Sequence, residues 1–253
     1  MTLYEPNWQQ HIKKDQNADT FRIFSIHVRK SGGTCAKERL RLHFPLLDVD
    51  GYEDARSHKY YEDALNIANS IETWNPENGL FYSVVRNPYS WLVSNFFWFD
   101  AFQSHYNRFE EFAIDWIEAP DRLPLPWVDP PAQEYFAKAL PKGIFIQLFE
   151  NENPGARCQI PVIIRCERLK EGLNILQGQF GIPPQKLEVY NRSTHRKHDY
   201  KHYYERDPEL GPIIKKGLFK KHEREFKMFG YEFDGPTDDN IFIDPKSLIL
   251  NYK

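Results

Sequence analysis

Methionine and cysteine are scarce in this sequence, and long apolar runs are missing. Among its 253 residues are 2 Met and 3 Cys, and no stretch approaches the roughly 18 consecutive apolar residues that a membrane-spanning helix needs. The first twenty residues, MTLYEPNWQQHIKKDQNADT, are polar and hold no apolar run of signal-peptide length. Cys35, Cys158 and Cys166 are few, odd in number and lack metal-type spacing, which favours a reducing compartment over a disulfide framework. A surplus of either charge is missing too. With 33 basic against 36 acidic residues the net charge is -3, so nothing global draws the chain to nucleic acid or to an anionic membrane, and anion binding has to come from local clusters. Internal repeats and low-complexity segments are absent, no His/Cys/carboxylate cluster argues for a metal, and the Gly-x-x-x-x-Gly-Lys-Ser/Thr run of nucleoside-triphosphate loops does not occur.

What is present suits one globular domain, expected to span residues 1–253. The chain is 41% hydrophobic and 15% aromatic, enough for a full core. Its organising stretch is Phe21 to Leu42. Phe21, Ile23, Phe24, Ile26 and Val28 read as a buried strand that breaks at Ser31-Gly32-Gly33. A helix follows, with Thr34 as the expected N-cap and Lys37, Glu38 and Arg39 as good helix formers. Strand, Gly-containing turn and helix N-terminus aim several backbone N–H groups and the positive end of a helix dipole at one point, which suits phosphate or sulfate. Lys30 stands at its lip. On local sequence alone, a tight connection with a solvated Lys competes with the anion site.

The run Ile26-His27-Val28-Arg29-Lys30-Ser31-Gly32-Gly33-Thr34-Cys35 resembles the 5′-phosphosulfate-binding loop of the sulfotransferases, in the carbohydrate and membrane-type branch, whose usual form is His-Ile-Pro-Lys-Thr-Gly-Gly-Thr-Ser. Arg29 stands where Pro is usual, Ser31 replaces Thr and Cys35 replaces Ser; the Lys and both glycines are kept. Phe81 to Ser94 resembles the same family's 3′-phosphate motif, a strand entering Arg86-Asn87-Pro88 and then a helix with Ser94 eight positions after the Arg. Pro88 falls near the first helical position.

That resemblance covers about residues 21 to 234 and implies an α/β fold with a mainly parallel central sheet flanked by helices, the three-layer, P-loop-NTPase-like fold of sulfotransferases. It implies transfer of a sulfuryl group from 3′-phosphoadenosine 5′-phosphosulfate (PAPS) to a hydroxyl, on a glycan or glycolipid, with no metal. Arg29, Lys30, Ser31, Gly32, Gly33, Thr34 and Cys35 would hold the 5′ end, with Lys30 also catalytic; Arg86 and Ser94 would hold the 3′-phosphate. Asn191, Arg192, Ser193 and Arg196 match the family's Asn-Lys/Arg-Ser loop over the nucleotide. The family places its base between the two motifs, where His58 in Ser57-His58-Lys59 fits best, His43 competes, and a carboxylate such as Asp50 or Glu53 stands behind both. Ile163 to Leu169 resembles the family's Ile-Gly-Arg-Phe-Glu-Asn-Leu segment, and Phe229 to Phe233 its usual C-terminal close. Two other classes stay open: a nucleotide or small-molecule kinase, and a non-catalytic nucleotide- or glycan-binding protein. A cytoplasmic enzyme is expected, or a Golgi-lumenal one if an anchor lies outside this sequence.

Elsewhere, apolar spacing predicts a helix around Tyr60 to Thr73. Trp91, Phe96, Phe97, Trp98, Phe99, Phe102, Tyr106, Phe109, Phe112 and Trp116 read first as core and second as sugar-stacking rings. Pro120 to Pro131 reads as an irregular loop ending near Gln133. Strands are expected over Gly143 to Phe149 and Pro161 to Cys166, and helices over Leu169 to Phe180 and Pro208 to Met228. Arg165 and Glu167 are either ligands or structural charges at a strand end. Residues 235–253 carry no functional reading.

Overall fold

The computed structural model describes residues 21–44, 65–66, 68–69, 79–149, 153–188 and 196–249. In chain order its elements are β1 (Arg22–Ile26), α1 (Gly33–Leu40), β2 (Gly79–Val85), α2 (Pro88–Phe96), α3 (Asp100–His105), α4 (Phe109–Glu118) and α5 (Pro130–Lys142). Then come β3 (Val162–Arg165), α6 (Leu169–Gly178), α7 (Tyr200–Glu205), α8 (Leu210–Lys221), α9 (Glu223–Phe229) and two short strands, β4 (Tyr231–Glu232) and β5 (Gly235–Pro236). They sort into two compact units, one drawn from residues 1–85, 146–191 and 239–253, the other from 86–145 and 192–238.

The first unit is built on a parallel sheet in the order β1-β2-β3, with Ile23 opposite Leu80 and Val84 opposite Ile164. Parallel strands joined through helices are covered on both faces and therefore read as nearly continuous apolar runs. β2 is such a run, with Leu80 through Val85 all buried. On one face Ile23, Leu80, Tyr82, Val84, Val162 and Ile164 pack against Ala36 and Leu40 of α1 and Leu169, Leu173 and Leu176 of α6. A fully buried leucine of this kind contributes about 1.5–3 kcal/mol. Alternate residues point to the other face, where the Phe24 and Phe81 rings stack at 4.9 Å. This is an α/β arrangement, a three-stranded parallel sheet flanked by helices.

Part of the chain beyond the expected 21–234 region closes this unit. The Arg165 amide donates to the Ile241 carbonyl at 3.1 Å, the Ile243 amide donates to the Ile163 carbonyl at 3.0 Å, and Phe242 bridges Ile164 in antiparallel sense. Phe242 joins the core, so the segment covers an edge of β3 whose backbone groups would otherwise lie open. Arg165 is buried there and donates through Nη1 to the Asn240 carbonyl, a structural task, whereas Glu167 is exposed.

The second unit has an aromatic centre. Trp91 and Trp116 meet edge to face at 5.5 Å, and Phe102 packs on Phe112 at 4.8 Å and Phe136 at 5.7 Å. Trp91, Phe96, Phe99, Phe102, Tyr106, Phe109, Phe112 and Trp116 are all buried, as the core reading expects; Trp98 is partly exposed and Trp127 is 70% exposed. Three local expectations need correction. Gly143 to Phe149 is not a strand, because the backbone groups of Ile144 are taken by side chains: its amide donates to Glu225 Oε1 at 2.7 Å and its carbonyl accepts from the Tyr135 hydroxyl at 2.8 Å. The expected helix over Pro208 to Met228 is two helices, since His222 leaves helical geometry (φ -115°, ψ 25°) and serves as C-cap of α8 and N-cap of α9. Finally, Pro130 and Pro131 begin α5, where Asp129 accepts from the Ala132 amide as N-cap and Gln133 donates back to the Val128 carbonyl. Among the expected residues 60–73, Leu65, Asn66, Ala68 and Asn69 are helical and the rest lie outside the described residues.

His222 and Glu225 form the polar centre of this unit. Trp116 Nε1–H donates to His222 Nε2 at 3.2 Å, which places the ring proton on Nδ1, 3.6 Å from Glu225 Oε1. Burial by itself would raise the Glu225 pKa; His222, Arg224 and the Ile144 amide outweigh it and hold the carboxyl below its usual range. Its stabilisation is therefore present above the unfolded carboxylate range and fades as pH falls through the folded pKa. Glu225→Ala should cost roughly 1.5–3 kcal/mol at neutral pH, because the buried Ile144 amide loses a charged acceptor. Urea unfolding at a series of pH values checks this: the gap between wild type and Glu225→Ala should narrow on acidification, and a pH-independent gap would contradict the charge argument.

Candidate functional site

The turn between β1 and α1 is shaped by two left-handed residues. Lys30 has φ 57°, unusual outside glycine, and Gly32 has φ 94° and ψ 7°. A left-handed lysine costs about 1–2 kcal/mol. Gly32 rather than Thr34 is the N-cap, and α1 begins at Gly33, which corrects the expected helix start. The first intrahelical bond runs from the Ala36 amide to the Gly32 carbonyl at 3.2 Å. By helix geometry the amides of Gly33 and Thr34 therefore have no acceptor within the helix and face its N-terminal end.

Tertiary packing explains why both glycines are needed. A Cβ on Gly32 would lie 3.1 Å from Cys166 Sγ and 3.2 Å from Leu169 Cδ2, at the junction of β3 and α6. One on Gly33 would lie 3.1 Å from Nδ1 of His27, whose ring covers the start of the helix. Ser31 is fully buried and its amide donates to the Val28 carbonyl. Ser83 on β2 donates to the Ile26 carbonyl at 2.8 Å and ties down the end of β1.

His27 reports the local field. Its pKa falls to about 4, through burial first and then through the positive charges of Arg29, Lys37 and Lys30. The ring is thus neutral at physiological pH, and three cations converge on the neighbourhood of the helix N-terminus. Sequence reasoning assigned His27 no role. Its only signal was its place just ahead of the basic run. Arg29, Lys30, Thr34 and Cys35 are half-buried around the turn.

Arg86, Ser94 and Arg196 belong to the second unit. Arg86 follows β2 directly, and Asn87 caps α2, its Oδ1 accepting from the Tyr89 amide while Pro88 takes the first helical position, as the motif's spacing suggests. Ser90, in the first turn of α2, accepts from Arg86 Nε at 2.9 Å. Ser94, one turn further on, is buried. The contact with Ser90 was missed in sequence, although an Arg and a Ser four residues apart is its signal. Arg196 donates through Nε to the His198 carbonyl at 3.0 Å.

His43, just beyond α1, is half-buried with Nε2 at 2.6 Å from Gln185 Nε2. An amide N–H donating there occupies the ring nitrogen that a general base would use. His58, Asn191, Arg192 and Ser193, together with Asp50 and Glu53, lie outside the described residues. Among the described residues there is no group of three or more metal-type side chains and no helix long and apolar enough to cross a membrane. Comparison with family models, with curated proteins and with solved structures gives no match to this chain.

Two outcomes test the turn. Gly32→Ala should destabilise the protein by roughly 1–3 kcal/mol, combining left-handed strain with the approach of Cys166 and Leu169; urea titration measures it, and a neutral effect would mean the turn relaxes. The His27 imidazole should stay neutral until the pH approaches 4 and titrate higher when an anion occupies the turn, since the anion offsets the three cations. Nitrogen-detected NMR titration with and without pyrophosphate reads both, and a His27 pKa unmoved by saturating pyrophosphate would place the anion elsewhere.

Proposed function

We propose that the chain is a sulfotransferase of the carbohydrate and membrane-type branch, moving a sulfuryl group from PAPS to a hydroxyl on a glycan or glycolipid. The observation that carries this reading is the turn itself: left-handed Lys30 and Gly32 ahead of the amides of α1, beside a His27 that burial first, and then Arg29, Lys37 and Lys30, keep neutral. A strained lysine at the mouth of an anion-binding turn is the kind of outlier that function explains. On this reading the parallel sheet is the centre of a P-loop-like three-layer fold, and Arg86 with Ser94 serves the 3′-phosphate.

The chemistry is an in-line displacement. The acceptor oxygen bonds to sulfur as the bond from sulfur to the bridging 5′ oxygen breaks, and the acceptor proton passes to a base, for which His58 stands ahead of His43 because Gln185 occupies the His43 Nε2. Negative charge grows on the bridging oxygen. Lys30 stabilises it there while the turn amides hold the 5′-phosphate, so positioning and electrostatics supply the acceleration.

Binding and turnover test this separately. 3′-Phosphoadenosine 5′-phosphate should raise the melting temperature, because a ligand of the native state stabilises it; stabilisation by ATP with magnesium alone would favour a kinase. Lys30→Ala should lower sulfate transfer at saturating donor by roughly 10²–10³-fold, comparable to losing one preorganised oxyanion donor, and Lys30→Arg should rescue poorly. Arg86→Ala should weaken nucleotide binding by roughly 1.5–3 kcal/mol. Full turnover in Lys30→Ala would remove Lys30 from the mechanism, and unchanged calorimetric affinity in Arg86→Ala would remove Arg86 from the nucleotide site.

A further inference from the structure

Arg39 lies on the inner side of α1 and is 4% exposed. Its partners are neutral. Nε donates to Gln177 Oε1 at 2.7 Å, and Nη2 donates to Asn174 Oδ1, both on α6. Asn174 Oδ1 also accepts from the Gln185 amide at 3.1 Å. Arg39 Nη1 and Gln177 Nε2 are buried without an acceptor. The nearest acid along the helix, Glu38, pairs with Arg41 instead, and among the described residues no carboxylate reaches Arg39.

Such an arrangement is costly, because a buried charge is ordinarily paired with an opposite one. An Arg that merely joined two helices would be cheaper with a Glu in place of Gln177. That single change would offer a bidentate carboxylate and remove the orphan amide donor. Arg39 sits six residues after Gly33 on the helix whose N-terminus forms the turn, about 9 Å along the axis, and helical side chains lean back toward the N-terminal end. At that range, through core rather than water, a full charge is felt.

We infer that Arg39 is a positioning residue of electrostatic kind: a fixed positive charge, left without a carboxylate partner, that strengthens binding of the donor's 5′-phosphosulfate at the N-terminus of its own helix. This rests on the anion-binding reading of the turn. The α6 amides hold the guanidinium in place without cancelling it, and the 5′-phosphosulfate, with one negative charge on phosphate and one on sulfate, supplies the missing counter-charge when it binds.

The test adds a charge in one variant and removes the hydrogen bond in another. Gln177→Glu keeps the bond to Nε and neutralises Arg39; Gln177→Met breaks the bond and adds no charge; Asn174→Asp neutralises through the other amide. Affinities for 3′-phosphoadenosine 5′-phosphate and for inorganic pyrophosphate are measured by calorimetry on the full chain, with melting temperatures alongside. Gln177→Glu and Asn174→Asp should stay at least as stable as wild type yet bind both probes roughly three- to tenfold more weakly, with Gln177→Met binding as wild type does wherever it is folded. Unchanged affinity in both acidic variants, or a loss confined to Gln177→Met, would overturn the inference and leave Arg39 a mechanical brace. Wild type binding pyrophosphate but not the nucleotide would overturn the sulfotransferase reading, with the pyrophosphate comparison still deciding Arg39. Binding of neither would overturn both.

Discussion

Where Gly32 faces Cys166 and Leu169 a Cβ would come within 3.1 and 3.2 Å of their side chains, and the first unit depends on that close approach. In a parallel sheet, each strand's exit and the helix that follows it crowd those of its neighbours. Here the turn leaving β1 rests on the junction that leaves β3 and enters α6. The same contact sets the end of β1, the start of α1 and the direction in which its first amides point. Leu169 takes part in both the turn and the core, so the geometry of the first amides of α1 and the packing of the sheet are one problem with one solution.

Charge is handled differently in the two units. In the second, Glu110 is fully buried and held by two bonds from Arg206, at 2.6 Å each, with Arg108 at 3.3 Å, and Glu225 is held by the Ile144 amide and its basic neighbours. Both are buried carboxylates with their charge answered. In the first unit Arg39 is answered by amides only, and His27 feels three cations. A chain whose net charge is only -3 thus answers its buried carboxylates with bases in one unit and leaves a buried guanidinium to amides in the other.

Much of this was legible in the residues. The apolar runs of β1, β2 and β3, the Gly-Gly break, the Pro at the start of α2 and the helix after Leu169 follow from period and punctuation, which are local properties. Of the rings from Trp91 to Trp116 read as core, all are buried except Phe97 and Trp98. The failures share one cause. Gly143 to Phe149 has strand composition, but Glu225, 81 residues on, takes the Ile144 amide; Pro208 to Met228 has one helical period, but it breaks at His222, which accepts from Trp116, 106 residues earlier. Neither partner is visible in a local window.

By itself the sequence determined the strand-turn-helix at Phe21 to Leu42, the Arg-Asn-Pro entry to α2 and the absence of any long apolar span, because each depends on residues adjacent in the chain. Tertiary structure alone decided that Gly32 rather than Thr34 caps α1, that His27 covers the turn and is held neutral, and that residues 241–243 complete the sheet edge beside β3. It also decided that Arg39 is buried against amides. These outcomes rest on which distant groups arrive within a few ångströms of one another, and burial, pKa and backbone strain are set by such neighbours rather than by the order of residues.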